Sequence, residues 1–356
     1  MNLNEKTKKL ILQHCKMYPQ LQIQDLFKFL YQSSFGCEHM VSSHKEAVES
    51  IKHEYRIQNS DPQVVIDPLD GGYSRVHLSY LSRGLSADTL AGLFCLSAKK
   101  EAEGKSALIH KLDIVEKLIN EKNIPFEINE FTAEKNKWIS DGYPALHHSD
   151  IYRKTYHPAY RVIANDYISF LPFFSELDMR LAKGDLRVAI DGRSASGKTT
   201  LSKILEKIYN CNVFHMDDFF LRPEQRTMER YAQIGGNIDH ERFLAEVLIP
   251  LSEGEQINYR KFDCSLMKIA ESVKIEPTAL TIIEGVYSMH PQFRKFYNYS
   301  LFLDILPQIQ KERILRRNSM QQAKRFFDEW IPLEDIYLSE LKIKEKCNMN
   351  ISVIED

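Results

Sequence analysis

Along the first half of the chain, apolar residues recur mostly at intervals of three and four. Between about positions 4 and 30, Leu10, Ile11, Leu21, Ile23, Leu26, Phe27 and Leu30 keep that rhythm, which predicts helix. Helical stretches are also predicted over 44–56, 87–101 and 106–121. The segment "VVIDPLDGGYSRVHLSYL" breaks the pattern: a short β-like run, an Asp-Gly-Gly turn at 70–72, then alternation from Tyr73 to Leu78. That is the pattern of a small hairpin. A charged, less patterned stretch, "SELDMRLAKGDL", follows. The domain boundary is placed there, with 1–183 a mostly α-helical (α+β) domain and 184–356 a second one.

The second half alternates differently. Short apolar runs at 187–190, 212–216, 256–262, 279–285 and 300–305 are predicted strands, and helical stretches at 199–209, 240–249 and 308–317 separate several of them. Strands alternating with helices predict an α/β fold with a doubly wound parallel sheet covered on both faces.

A length of 356 residues exceeds what one core usually serves, in keeping with two domains. A net charge of -2 offers no bulk attraction to nucleic acid or to anionic membrane, so neither is an expected partner. No segment approaches a membrane span, and the start, "MNLNEKTKKL", lacks an apolar core of signal-peptide length. The 6 cysteines are scattered without a CxxC pair, which argues against a disulfide framework or zinc knuckle and leads us to expect a reducing cytoplasm.

The stretch "RVAIDGRSASGKTTLSKIL" changes the picture most. Gly192, Gly197, Lys198 and Thr199 satisfy G-x-x-x-x-G-K-[ST], with an apolar strand before and an amphipathic helix after. In such a P-loop the glycines let the backbone curl so that N–H groups face phosphate oxygens, the Lys reaches the β/γ-phosphates and the Thr hydroxyl sits on Mg²⁺. The expected nucleotide-binding residues are Gly192, Ser194, Ala195, Ser196, Gly197, Lys198, Thr199 and Thr200. A GTPase should also carry Asn-Lys-x-Asp after the loop. The nearest string, "NKWI" at Asn136, precedes it and lacks the Asp.

After the first helix of this half, the strand ending at Met216 runs into "DDFFLRPE". Strand C-termini line the ligand crevice of a doubly wound sheet, so an Asp there can take a proton from an attacking hydroxyl. Asp217 is the candidate base, and Asp218 is expected to help with metal or local structure; a helix-capping acidic pair is the alternative.

The strings "GRSASGKTT", "HMDDFF", "GGNIDHERF", "YRKFD", "TIIEGVYS" and "RILRRN" occur in that order. Over roughly 186–354 the chain resembles the uridine kinase/phosphoribulokinase/pantothenate kinase group of P-loop kinases. The resemblance implies ATP- and Mg²⁺-dependent phosphorylation of a hydroxyl of a nucleoside (uridine- or cytidine-like) or a similar small metabolite. It implies that Asp217 is the base, that Asp239 holds acceptor hydroxyls and that Glu284, with Thr199, serves Mg²⁺. Arg313, Arg316 and Arg317 match lid arginines that close on the transferring phosphate. Where uridine kinases carry a Tyr and a His, this chain has Phe262 and, nearby, Met267. Phe262 can stack on a ring, but neither residue can donate a hydrogen bond to a base.

Two strings of the first half also stand out, "SSFGCEHMV" and "HHSDIYRKTYHPAYRVI". If 149–156 is helical, Tyr152 and Tyr156 share a face and Pro158 ends the helix. Three readings stay open: a phosphate or acidic-ligand pocket of Arg and His, a metal site with Glu38 and His39, and a packed Tyr/His-rich interface. Cys37 is either a nucleophile or a small buried apolar residue. For the whole chain the alternatives to the kinase are an ATP-binding regulatory module acting on the N-terminal domain and a bifunctional enzyme. The expected partner is a small-molecule phosphoacceptor, with self-association into a homo-oligomer left open.

Overall fold

The computed structural model describes residues 3–37, 43–57, 65–100 and 102–353. They divide into two compact units, Met1–Asp178 and Met179–Asp356.

The N-terminal unit is mostly helical. The apolar rhythm of positions 4–30 resolves into two helices, α1 (Leu3–Met17) and α2 (Ile23–Phe35). The break coincides with Pro19, whose ring fixes φ and removes a donor. Helices α3 (His44–Ile57), α4 (Ala87–Ser97) and α5 (Gly104–Asn120) lie where the periodicity puts them, and α6 (Ile128–Ser140) is an addition to it. The predicted hairpin is present as β1 (Ile66–Pro68) and β2 (Tyr73–His77), antiparallel. A third strand, β3 (Tyr160–Ala164), pairs with the other edge of β2, Arg75 opposite Val162 and His77 opposite Tyr160. Both β2 and β3 are buried along their whole length, so neither shows the polar alternation of a half-exposed strand. Helix α7 (Asp150–Tyr156) stops at His157 in the left-handed conformation, one residue before Pro158. The stretch read as unpatterned is largely helical: after the short α8 (Asn165–Ile168), α9 (Leu171–Leu181) runs into it and buries Phe173, Phe174 and Leu177.

The C-terminal unit holds a five-stranded, all-parallel sheet in the order β10–β9–β4–β8–β5. Its strands are β4 (Leu186–Gly192), β5 (Cys211–His215), β8 (Leu280–Glu284), β9 (Tyr299–Ile305) and β10 (Met349–Val353). All five residues of β8 are buried, as a strand covered on both faces requires, and each large aliphatic side chain so buried contributes about 1.5–3 kcal/mol. One expected sheet strand is placed differently. The run "QINYRKF" forms β6 (Ile257–Asp263), which pairs antiparallel with β7 (Lys268–Ile275) as a separate hairpin. Its alternation of buried and exposed residues is that of a ribbon with one wet face. Helix α10 (Lys198–Ile208) buries Leu201, Ile204 and Leu205 at helical spacing, and the helical stretch from His240 continues to Glu253. Strand β4 lies mid-sheet, with β8 and β9 as neighbours, so its C-terminal end opens where a doubly wound sheet forms its crevice.

Candidate active site

The loop between β4 and α10 has a backbone that its side chains dictate. Gly192 has φ 143°, and a Cβ there would lie 2.2 Å from the Leu303 carbonyl oxygen of β9, a clash of backbone with backbone. Ala195 (φ 63°) and Gly197 (φ 98°) bend the chain through the left-handed region into α10. Lys198, nearly buried, folds back and donates from Nζ to the carbonyls of Gly192 (2.7 Å) and Arg193 (2.9 Å). The Ser196 hydroxyl is buried without a partner. The first-turn N–H groups of α10, which follow Gly197, have no intrahelical acceptors. An unpartnered hydroxyl and a ring of N–H donors at a helix start suit a phosphate chain. Gly192, Ser194, Ala195, Ser196, Gly197, Lys198, Thr199 and Thr200 thus form one continuous loop and helix start.

Carboxylates gather beside it. The β5–β8 register sets His215 opposite Glu284, and the β4–β8 register sets Ile190 there. Glu284 is buried, and its Oε1 accepts from Thr199 Oγ1 (3.0 Å) and from His215 Nδ1 (2.6 Å). That bond to Glu284 is the main reason the His215 pKa is raised, outweighing burial. Asp217, two residues past His215, is accessible to solvent yet densely surrounded. Those surroundings raise its carboxyl pKa, and the Glu284 carboxylate adds to the rise while Lys198 and His215 oppose it. Among the described residues no group of three His, Cys, Asp or Glu side chains could hold a metal ion. Mg²⁺ needs less, since it commonly takes one or two protein oxygens and completes its shell with water and phosphate. The Thr199 hydroxyl and the Glu284 carboxylate are such hard donors.

A third contribution was not legible in the motifs. Helix Ile331–Glu340 buries Glu334 and Tyr337, three positions apart, and leaves Ile336 exposed. Glu334 accepts from the Ser194 N–H (3.0 Å) and from its hydroxyl, Asp335 pairs with Arg193, and the Tyr337 hydroxyl donates to Asp191 Oδ2 (2.7 Å). Asp191, fully buried at the end of β4, also accepts from the N–H groups of Gly192 (2.7 Å) and Met289 (2.9 Å). Burial raises the pKa of both Asp191 and Glu334.

The remaining expected residues lie as follows. Arg313, half-buried in helix Pro307–Arg317, donates from Nη1 to the Ala195 carbonyl (3.3 Å) and so touches the phosphate loop. Arg316 and Arg317 are exposed at the helix end, with the Arg317 guanidinium 5.5 Å from the centre of the Phe326 ring. Asp218 pairs with Lys261 (3.3 Å). Asp239 is buried and caps the helix that starts at His240, accepting from Arg242 N (3.2 Å), Arg242 Nε (3.3 Å) and Gln225 Nε2 (3.2 Å). Phe262 is buried with the Arg226 guanidinium 5.9 Å from its ring centre, and Met267 stands exposed at the β6–β7 turn. In the N-terminal unit, Glu38 and His39 lie outside the described residues. Cys37 is buried, and desolvation pushes its thiol up to about 12, which accords with the small apolar reading rather than a nucleophilic thiolate.

Residues 188–325 match the family model described as Phosphoribulokinase / Uridine kinase family. Among solved structures, one described as a possible uridine kinase from Bacillus stearothermophilus is 22% identical, covers 49% of this chain and 99% of its own, and has a TM-score of 0.38. Another, described as a fructose transport system kinase from Silicibacter sp. TM1040, is 20% identical, covers 47% of this chain and 89% of its own, and also has a TM-score of 0.38. Likeness at this level says nothing of substrate. No curated protein matches the chain. No helix among the described residues is long and apolar enough to cross a membrane.

Proposed function

We propose, from the premise that the C-terminal half carries a nucleotide-binding phosphotransfer domain of the phosphoribulokinase/uridine kinase family, that it phosphorylates a hydroxyl of a nucleoside or similar small metabolite with ATP. The observation that carries this reading is the placement of an accessible carboxylate, Asp217, just past β5 and beside Glu284, Thr199 and Lys198. A carboxylate with a raised pKa holds a proton more readily, so Asp217 suits the role of base. The acceptor O–H bond breaks, its proton goes to Asp217, the oxygen forms a new bond to the terminal phosphorus of ATP, and the bond from that phosphorus to the bridging oxygen breaks to release ADP. The loop N–H groups, the Ser196 hydroxyl and Lys198 would hold the phosphates; Lys198 would exchange its two carbonyl contacts for phosphate oxygens. Mg²⁺ held by Thr199 and Glu284 would neutralise charge on the phosphates. Arg313, already at the loop, would do the same from the other side, and Arg316 and Arg317 would join it on closure of their helix end. Asp239 would orient the acceptor by taking a hydroxyl in place of Gln225, its half-buried partner. Phe262 would contribute an apolar wall.

The test follows ADP release from Mg²⁺-ATP with a panel of nucleosides and sugar-like alcohols, with Lys198→Ala as blank. Stimulation by at least one acceptor that disappears in Lys198→Ala is expected. Nucleotide binding with no stimulation by any acceptor would reject the kinase in favour of a regulatory module. Turnover intact in Asp217→Asn would remove the base assignment.

A further inference from the structure

The N-terminal unit has a cavity of about 850 Å³ with no part in the chemistry above. Its size falls in the range of sites for small metabolites. Two kinds of wall face each other across it. One is a single face of α3, where the exposed Glu46 lines the cavity and Ser50 and Glu54 close a neutral group with Arg161: Arg161 reaches Glu54 with both terminal nitrogens (2.7 and 3.0 Å) and Ser50 Oγ with one (2.9 Å). The other carries the cations Lys28 of α2 and Arg153 of α7, with the rings of His147 and His157 beside them.

The cationic wall is built on a fixed, buried base. Asp25 accepts from His148 Nδ1 (2.9 Å), Ser149 N (2.9 Å), Ser149 Oγ (2.7 Å) and Gln22 N (2.9 Å). With Nδ1 so engaged, His148 Nε2 meets the Tyr160 hydroxyl at 2.7 Å, and desolvation lowers the His148 pKa to about 4, so it is neutral near pH 7. The His148 carbonyl accepts from Arg153 Nε (2.8 Å), and the Leu146 carbonyl accepts from Lys28 Nζ (2.7 Å). Asp25 is thereby committed to its own four donors. Neither Lys28 nor Arg153 forms an ion pair among the described residues. Burial and the nearby Arg75 and Arg153 charges bring the Lys28 pKa down to about 8. Like charges held together at a cavity wall, each with N–H donors to spare, are relieved by an anion.

We propose that this cavity binds a phosphate monoester of a hydroxylated metabolite, its phosphate between Lys28 and Arg153 and its hydroxyls against the Ser50–Glu54–Arg161 wall. A phosphate accepts bonds from the flexible ammonium and the planar guanidinium together, and the Ser50–Glu54–Arg161 group, neutral as a whole, accepts hydroxyls, while the Glu46 carboxylate on the same face turns the anion toward Lys28 and Arg153. The inference stands apart from the kinase reading. If both hold, the N-terminal unit takes the class of compound that phosphoryl transfer to a hydroxyl produces.

Isothermal titration calorimetry of the full chain with ribose 5-phosphate, inorganic phosphate and ribose tests this, each repeated in Lys198→Ala to silence the phosphate loop. Saturable binding of ribose 5-phosphate, unchanged in Lys198→Ala, weakened at least about tenfold in Arg153→Met and in Lys28→Met, and held within about threefold in Lys28→Arg, is the expected result. Arg153 is exposed and Lys28 half-buried, so these variants leave the core intact, and near-ultraviolet circular dichroism checks that. Inorganic phosphate should compete and bind more weakly, and ribose should not compete. No saturable binding of either phosphate probe up to about 10 mM, binding indifferent to Arg153→Met, or binding lost in Lys198→Ala would each overturn the proposal. Equal affinity for inorganic phosphate and ribose 5-phosphate would overturn the role given to the α3 wall.

Discussion

Replacing Glu284 by Gln separates two jobs that one oxygen atom performs. Oε1 accepts from both Thr199 and His215, and the side chain is 5% exposed against 31% for His215. A charge-assisted hydrogen bond is worth about 1.5–3 kcal/mol when buried, and the partial exposure of His215 puts this one near the lower end. Gln keeps the shape and removes the charge, so the C-terminal unit should lose about 1–2 kcal/mol near pH 6. The effect has a sign in pH. The folded state raises the His215 pKa, so the stabilisation is complete below the unfolded value, about 6.5, and fades as pH rises through the folded one. The difference between parent and Glu284→Gln in urea denaturation should therefore be largest near pH 6 and shrink in alkaline buffer. An NMR titration of His215 should show its pKa falling in the variant. Turnover should drop by about a hundredfold or more, because the charge proposed to face Mg²⁺ and the phosphates is lost. An unchanged His215 titration in Glu284→Gln would refute the account of this pair, whatever the activity.

Three further outcomes are expected. Asp217→Asn should lower kcat by about 10²–10⁴ while ATP binding measured by calorimetry stays within about threefold, since Asp217 touches neither the loop backbone nor Lys198 by hydrogen bond. Tyr337→Phe should destabilise the C-terminal unit by about 1–3 kcal/mol in urea denaturation, because Asp191 stays buried with one donor fewer; no loss would mean the hydroxyl is dispensable. Gly192→Ala should abolish nucleotide binding and lower the melting temperature, because strands β4 and β9 must part to admit the new methyl group against the Leu303 carbonyl.

Most of what the sequence allowed to be read concerns contacts close along the chain. The phosphate loop, its strand and α10 are spelled out by residues within about twenty positions, and the motif names them directly, although β4 pairs with strands far later in the chain. Glu284 and Asp217 were legible because an apolar run ends at or just before each. The hairpin β6–β7 shows the limit: "QINYRKF" has the alternation of any strand, and only its pairing with 268–275, rather than its composition, keeps it out of the parallel sheet. Strand β3 was hidden for a related reason, since its five residues sit in a string whose His, Tyr and Arg content suggests a site rather than a buried strand. Glu334 and Tyr337 left no signal at all. In helix Ile331–Glu340 polar and apolar residues do not segregate, so nothing local says that a Glu turns inward while Ile336 faces water.

The grip of that helix on the phosphate loop has a consequence for the order in which the protein becomes competent. Glu334 lies 140 positions after Ser194, and Tyr337 lies 146 after Asp191. On the ribosome, at roughly 5–20 residues per second, the loop emerges about 7–30 s before the side chains that brace it. For most of that interval β4 also lacks its sheet neighbours β8 and β9, and once residue 305 has emerged the loop still waits about 1.5–6 s for Glu334 and Tyr337. A nucleotide meeting that half-braced cradle while the chain is still tethered would act as a folding ligand before the domain is complete.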